Sequence, residues 1–372
     1  MIAHLRSRFV TLCAICLLAG CNSEAPAPDN GDAAAKTQAP HVSGAVPVEA
    51  TGDVTTLVGE EPLAAPALAE PAATPVAKQT DLPIPQELSP DDWPQFRGEL
   101  RDGIVRGKTR LARAWPAEGP RVIWQRTMGQ GYSAPSVVGD RVFVNDYDEA
   151  TNEWKVVCLA LETGDELWQY KVAKRIRPNH SITRSAPATD GGFVFSIDPK
   201  CELHCLDARD GTLIWKKSLT ESYESQIPAW YNGQCPLIDE NHLVVATGGR
   251  SLIVALDKAT GNPIWESPNP DAQLLSHSSV MPVVIDGVRQ YTYLTLNGLV
   301  GISAENGEIL WSFPWKFNTA VATSPLPLDD GRFLLTAAYH AQTVICQVAR
   351  SDGKWAAQEL VAFDPPPTGW NS

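Results

Sequence analysis

Eight cysteines and seven histidines carry most of the chemical potential of this chain. The densest grouping is Cys201-x-x-His204-Cys205, whose spacing invites comparison with a metal site. On one extended strand, however, Cys201 and Cys205 would have Cα atoms roughly 13 Å apart, too far for a disulfide. His204 would point to the opposite face from both. No metal ligand set is therefore expected there. Cys158, Cys205 and Cys346 occupy one repeated slot (VVCLAL, LHCLDA, VICQVA), which holds Ala255 and Gly301 in other copies. That pattern asks for a small residue in a buried strand near an axis, a role in which free cysteine behaves as a small hydrophobe.

The remaining polar candidates are His180, Arg184, Trp230, Tyr231, His277 and His340. No nucleophile, base and acid fall at a catalytic spacing among them, and no catalytic residue is assigned. Paired aromatics such as Trp230-Tyr231 suit an interaction surface better. A basic run (Lys171, Lys174, Arg175, Arg177, His180 and Arg184) reads as a solvated loop, with an anion or partner contact as the functional alternative.

These residues are held by a repeat. Ser185 to Trp215 reads as three short strands, Phe193–Ile197, Glu202–Leu206 and Thr212–Lys216, with an Asp207-to-Gly211 turn before the last. LALETGDELW ends at Trp168, VALDKATGNPIW at Trp265 and GISAENGEILW at Trp311. QVARSDGKW is a weaker copy ending at Trp355, and GPRVIW a half-copy ending at Trp124. Pro-containing apolar segments precede the copies. The period of about 44 to 50 residues is that of a four-stranded propeller blade. The six tryptophans Trp124, Trp168, Trp215, Trp265, Trp311 and Trp355 are expected to be structural, each plugging a seam between blades beside a Gly turn.

The ends of the chain have a different character. Residues 1–20 combine early basic residues with an apolar run too short to span a bilayer, and Leu18-Ala19-Gly20-Cys21 follows. This is similar to a bacterial lipobox, which implies lipidation of Cys21. Asn22 rather than Asp after it resembles the pattern of outer-membrane lipoproteins. Residues 21–90 are rich in Pro and Ala and lack aromatics, which predicts a disordered tether. Residues 91–372 are assigned to the folded domain. A formal charge of −13 argues against nucleic acid as a partner.

The opening of that domain, Trp93-Pro94-Gln95-Phe96-Arg97-Gly98 followed by Arg101-Asp102-Gly103, together with the repeats, resembles the pyrroloquinoline-quinone-like propellers. The nearest subgroup is that of the outer-membrane assembly lipoprotein BamB. The resemblance implies an all-β, four-stranded-blade propeller on the periplasmic side of the cell envelope, binding an envelope protein as a scaffold without a cofactor. The family usually closes seven or eight blades. About five repeats are recognisable here, so the ring is expected to be incomplete and the C-terminus truncated, with a five-unit ring clasped by the Trp124 strand as the alternative. The competing reading is an oxidoreductase using pyrroloquinoline quinone and calcium. Such enzymes show adjacent cysteines and a Glu/Asn metal pair, and neither is matched here.

Overall fold

The computed structural model describes residues 82–177, 182–316, 320–338 and 341–364. The signal segment, Cys21 and nearly all of the tether lie outside the described residues, as do His180 and His340.

Twenty strands form five separate four-stranded antiparallel sheets. The first blade contains β1 (Ser136–Val138), β2 (Arg141–Asp148), β3 (Glu153–Ala160) and β4 (Glu166–Ala173). The second contains β5 (Ala188–Thr189), β6 (Phe193–Ile197), β7 (Glu202–Asp207) and β8 (Leu213–Ser218). The third runs through β9 (Leu237–Asp239), β10 (His242–Ala246), β11 (Ser251–Asp257) and β12 (Pro263–Pro268). The fourth follows with β13 (Met281–Ile285), β14 (Val288–Thr295), β15 (Gly298–Ser303) and β16 (Ile309–Pro314). The fifth is β17 (Leu326–Pro327), β18 (Arg332–Leu335), β19 (Thr343–Ser351) and β20 (Lys354–Phe363). The repeat reading is borne out, and the blades fan into an open ring.

Burial explains the strand sequences. Central strands such as β7 and β11 are covered on both faces by neighbouring blades, so nearly every residue in them is buried. The outermost strands β4, β12 and β16 alternate instead, with the tryptophan at a buried position in each.

The small-residue slot has a different cause from the one expected. It lies on the third strand of each blade, away from the axis, directly across from the tryptophan of the outermost strand: Cys158 faces Trp168, Cys205 faces Trp215, Ala255 faces Trp265 and Gly301 faces Trp311. A register shift follows each of these pairs, bulging out the residue before the tryptophan. That is why apolar Leu167 and Ile264 stand in solvent.

The seams follow one rule. Trp124, Trp168, Trp215 and Trp265 each lie on the turn glycine of the following blade: Gly164, Gly211, Gly261 and Gly307. Each indole Nε1 donates to a carbonyl of that blade, from Leu161, Ala208, Lys258 and Ala304 respectively. Those glycines have φ between 71° and 78°, and a Cβ there would come within 2.5 to 2.9 Å of the indole. Glycine is thus required twice over.

The fifth blade departs from the rule. Trp311 donates to Gln290 Oε1 within its own blade and packs on Phe333. Trp355 is not at the repeat phase: it pairs with Arg350 beside the β19–β20 turn, and Glu359 stands opposite Cys346 where the other blades put tryptophan. The spacing from Trp311 to Trp355 matched the period because the β19–β20 hairpin is long, with its own Asp352-Gly353 turn.

The N-terminal segment packs along the inner strands. Trp93 exchanges backbone hydrogen bonds with Val137, Pro94 O accepts from Thr189 N, and Gln95 Oε1 accepts from Ile238 N. Arg101 is fully buried and donates to the carbonyls of Val280, Cys235 and Pro236. This segment begins before residue 91: Gln86 N already donates to Asp190 O at 2.9 Å. Part of the stretch expected as tether thus pairs with the second blade, since a Pro-rich extended stretch can pair its backbone without any compositional mark.

Candidate functional site

In these meanders the turns between second and third strands, and the links between blades, share one end of the fan. Tyr132, Arg184, Trp230-Tyr231 and His277 all lie in segments that lead into inner strands at that end. Four of the residues marked in the sequence meet there. The Arg184 guanidinium donates to Trp230 O, and the Trp230 and His277 rings stand 5.9 Å apart. Tyr231 Oη donates to Arg177 O at 3.0 Å, tying the third blade's lead-in to the basic run. His277 N is fixed by Val321 O at 3.0 Å. Gly233 passes so close to the His277 side chain that a Cβ would meet it at 3.0 Å.

The electrostatics are those of a half-buried mouth. Burial lowers the Arg184 pKa, and burial followed by the Arg184 charge lowers that of His277. His277 Nε2 is buried without a hydrogen-bond partner among the described residues. A neutral imidazole thus stands beside a guanidinium, with the Trp230 ring against the imidazole.

Tyr132 belongs to this mouth and was not marked in the sequence. It is 71% exposed, and its backbone N donates to Thr183 O at 2.6 Å. The signal was available, since Tyr132-Ser133-Ala134-Pro135 aligns with Arg184-Ser185-Ala186-Pro187.

The cysteines are structural groups. Cys158, Cys201, Cys205, Cys235 and Cys346 are all buried and free. Burial pushes Cys158 up to about 11, Cys201 and Cys346 up to about 12, and Cys205 well above its usual value. Such thiols stay protonated and unreactive. Cys201 precedes β7 with φ 65°, in the hairpin turn and off the strand that the spacing suggested. His204 does turn away from Cys205, towards the first blade, where it meets Trp154 and Tyr170. Its neighbours there are Asp198 and Glu202.

No curated protein matches the chain. Among solved structures, BamB from Moraxella catarrhalis is similar at 18% identity and a TM-score of 0.43, over 60% of this chain and 61% of that one. A europium-containing methanol dehydrogenase is similar at 16% identity and a TM-score of 0.47, over 65% and 53%. Quinohemoprotein alcohol dehydrogenase from Comamonas testosteroni gives 14% identity and a TM-score of 0.35, over 71% and 59%. The chain thus spans between 53% and 61% of the length of these three relatives. Residues 152–368, more than half of the chain, match the family described as outer membrane protein assembly factor BamB, and the chain belongs to that family.

Proposed function

We propose that this protein is a non-catalytic scaffold, anchored through lipid on Cys21 to the periplasmic face of the outer membrane. It binds another envelope protein through the mouth formed by Tyr132, Arg184, Trp230, Tyr231 and His277, in the assembly of outer-membrane proteins. The observation that carries this reading is the convergence of Tyr132, Arg184, Trp230-Tyr231 and His277 from four blade lead-ins on a single mouth. Membership of the BamB family is consistent with that process, and the Leu18-Ala19-Gly20-Cys21 sequence supports the anchor.

The mouth has the make-up of an interaction hot spot. Its aromatic side chains are large and lose little rotamer entropy on binding, and Arg184 is already oriented by the Trp230 carbonyl. Trp230→Ala keeps that carbonyl and removes only the indole. In co-purification from envelope extracts it is expected to reduce recovery of outer-membrane assembly components by about tenfold or more, the scale of a hot-spot truncation. Leu167→Ala, at the opposite end of the first blade, is expected to leave recovery unchanged. Equal recovery with Trp230→Ala and the unaltered chain would remove the mouth from the proposal.

A further inference from the structure

We infer that the seam between the first and second blades holds a divalent transition-metal ion of the zinc type, bound by His204, Asp198 and Glu202, with the Lys174 ammonium as its displaceable substitute.

The ligand atoms of these three residues all lie within 4.8 Å of one another. His204 Nε2 is 3.6 Å from Asp198 Oδ2 and 3.8 Å from Glu202 Oε2. Metal bonds of about 2.0 to 2.2 Å place ligand atoms about 3.3 Å apart, so the two histidine–carboxylate gaps need to close by only about 0.3 to 0.5 Å.

The histidine is prepared for this role. Its side chain is completely buried, with its ring 4.8 Å from Trp154 and 5.6 Å from Tyr170. Nδ1 is 3.4 Å from Tyr170 Oη, while Nε2 faces the two carboxylates at 3.6 and 3.8 Å without a hydrogen bond among the described residues. A buried nitrogen left at that distance is costly in a structure with no use for it. A metal at Nε2 would fix the proton on Nδ1, where the Tyr170 hydroxyl oxygen accepts it, as outer partners of metal-bound imidazoles do.

The carboxylates are prepared as well. Asp198 Oδ1 accepts from Lys200 N and Glu202 N at 2.8 and 3.0 Å, which leaves Oδ2 turned into the cluster. Glu202 Oε1 is held by Lys216 Nζ at 3.0 Å, leaving Oε2 on the same side. Lys174 Nζ lies 2.8 Å from Asp198 Oδ2 and 2.6 Å from Glu202 Oε2, so a cation already occupies the focus of the two acids. Its flexible stem is partly exposed and can withdraw into solvent, opening a path inward. One imidazole with two carboxylates favours zinc, cobalt or manganese over calcium and magnesium. Such an ion would be held by the second blade, with Tyr170 of the first blade as its outer partner, and would replace the Lys174 bridge between the two.

The test titrates the full chain with Co2+, following ligand-field absorption, and with Zn2+ by calorimetry. One equivalent of tight binding is expected. Lys174→Met should tighten it and Glu202→Gln weaken it, each by about tenfold or more. Tyr170→Phe should weaken it by about tenfold, the scale of losing an outer partner. Glu202 and Tyr170 are only partly buried, so circular dichroism can show both variants to be folded. Equal affinity in the unaltered chain and Glu202→Gln would place any bound ion elsewhere and overturn the proposal. Absence of binding by both the unaltered chain and Lys174→Met would overturn it too.

Discussion

The indole of Trp124 lies across Gly164 and donates to Leu161 O at 2.8 Å, although Trp124 belongs to none of the five sheets. It does for the first blade what Trp168, Trp215 and Trp265 do for the second, third and fourth. The segment around it follows the blade's outer flank, with Arg126 paired to Glu166 and Gly129 N bound to Asp146 Oδ1. Trp124→Ala should therefore destabilise the first blade by about 2 kcal/mol, less than the about 3 to 5 expected for the better buried Trp168→Ala. Denaturant midpoints of the two variants, compared at equal slope, check the order.

The seam rule is tested from the other side by glycine. Gly211 and Gly353 share a φ of 77°, but only Gly211 lies under an indole. Gly353→Ala should cost about 1 kcal/mol for the left-handed backbone alone. Gly211→Ala adds a clash with Trp168 and should cost about 1 to 3 kcal/mol more. Equal losses in thermal unfolding would mean that the indole contact contributes nothing.

Arg101 bridges the N-terminal segment to the third and fourth blades through three carbonyls. Burial lowers its pKa to about 10, still well above neutral, so it is a cation throughout the physiological range. Arg101→Met leaves those carbonyls unpaired and should destabilise by about 3 kcal/mol. Amide exchange at Trp93–Gly103 should rise before exchange in β9 or β13 does. Uniform acceleration across all blades would contradict the role of this segment as a local brace.

His277 gives the mouth a pH dependence. Its folded pKa is below the ordinary 6.5, first through burial and then through Arg184. Below pH 6.5 the unfolded chain takes up this proton more readily than the folded one. The stabilisation linked to neutral His277 is therefore complete above pH 6.5 and is lost as pH falls from there towards the folded value. His277→Gln should flatten the stability profile in that window, and a profile parallel to that of the unaltered chain would refute the linkage.

Much of the fold was legible because the seam rule is written in local sequence. An Asp-x-x-x-Gly turn followed by an apolar residue and tryptophan specifies a turn, a bulge and a plug together, as at Asp207 to Trp215. The fifth blade misled because Trp355 kept the period while losing the register to a longer hairpin. Within the mouth, Trp230-Tyr231 was visible as paired aromatics, whereas Tyr132 needed the alignment of two Ser-Ala-Pro segments. The Asp198, Glu202 and His204 cluster is not legible from spacing, because Asp198 reaches the other two only through a turn. Glu202 and His204 share one strand face, and the tight turn at Asp198 brings the third group to them.

The central claim is that the mouth contacts another protein in the envelope, and photocrosslinking tests it most directly. A benzophenone side chain at Tyr132, which is 71% exposed, should give a discrete adduct with a component of outer-membrane protein assembly in intact cells. The same group at Ile264, exposed on the third blade's outer strand, should give none. An adduct at Ile264 and none at Tyr132 would contradict the account.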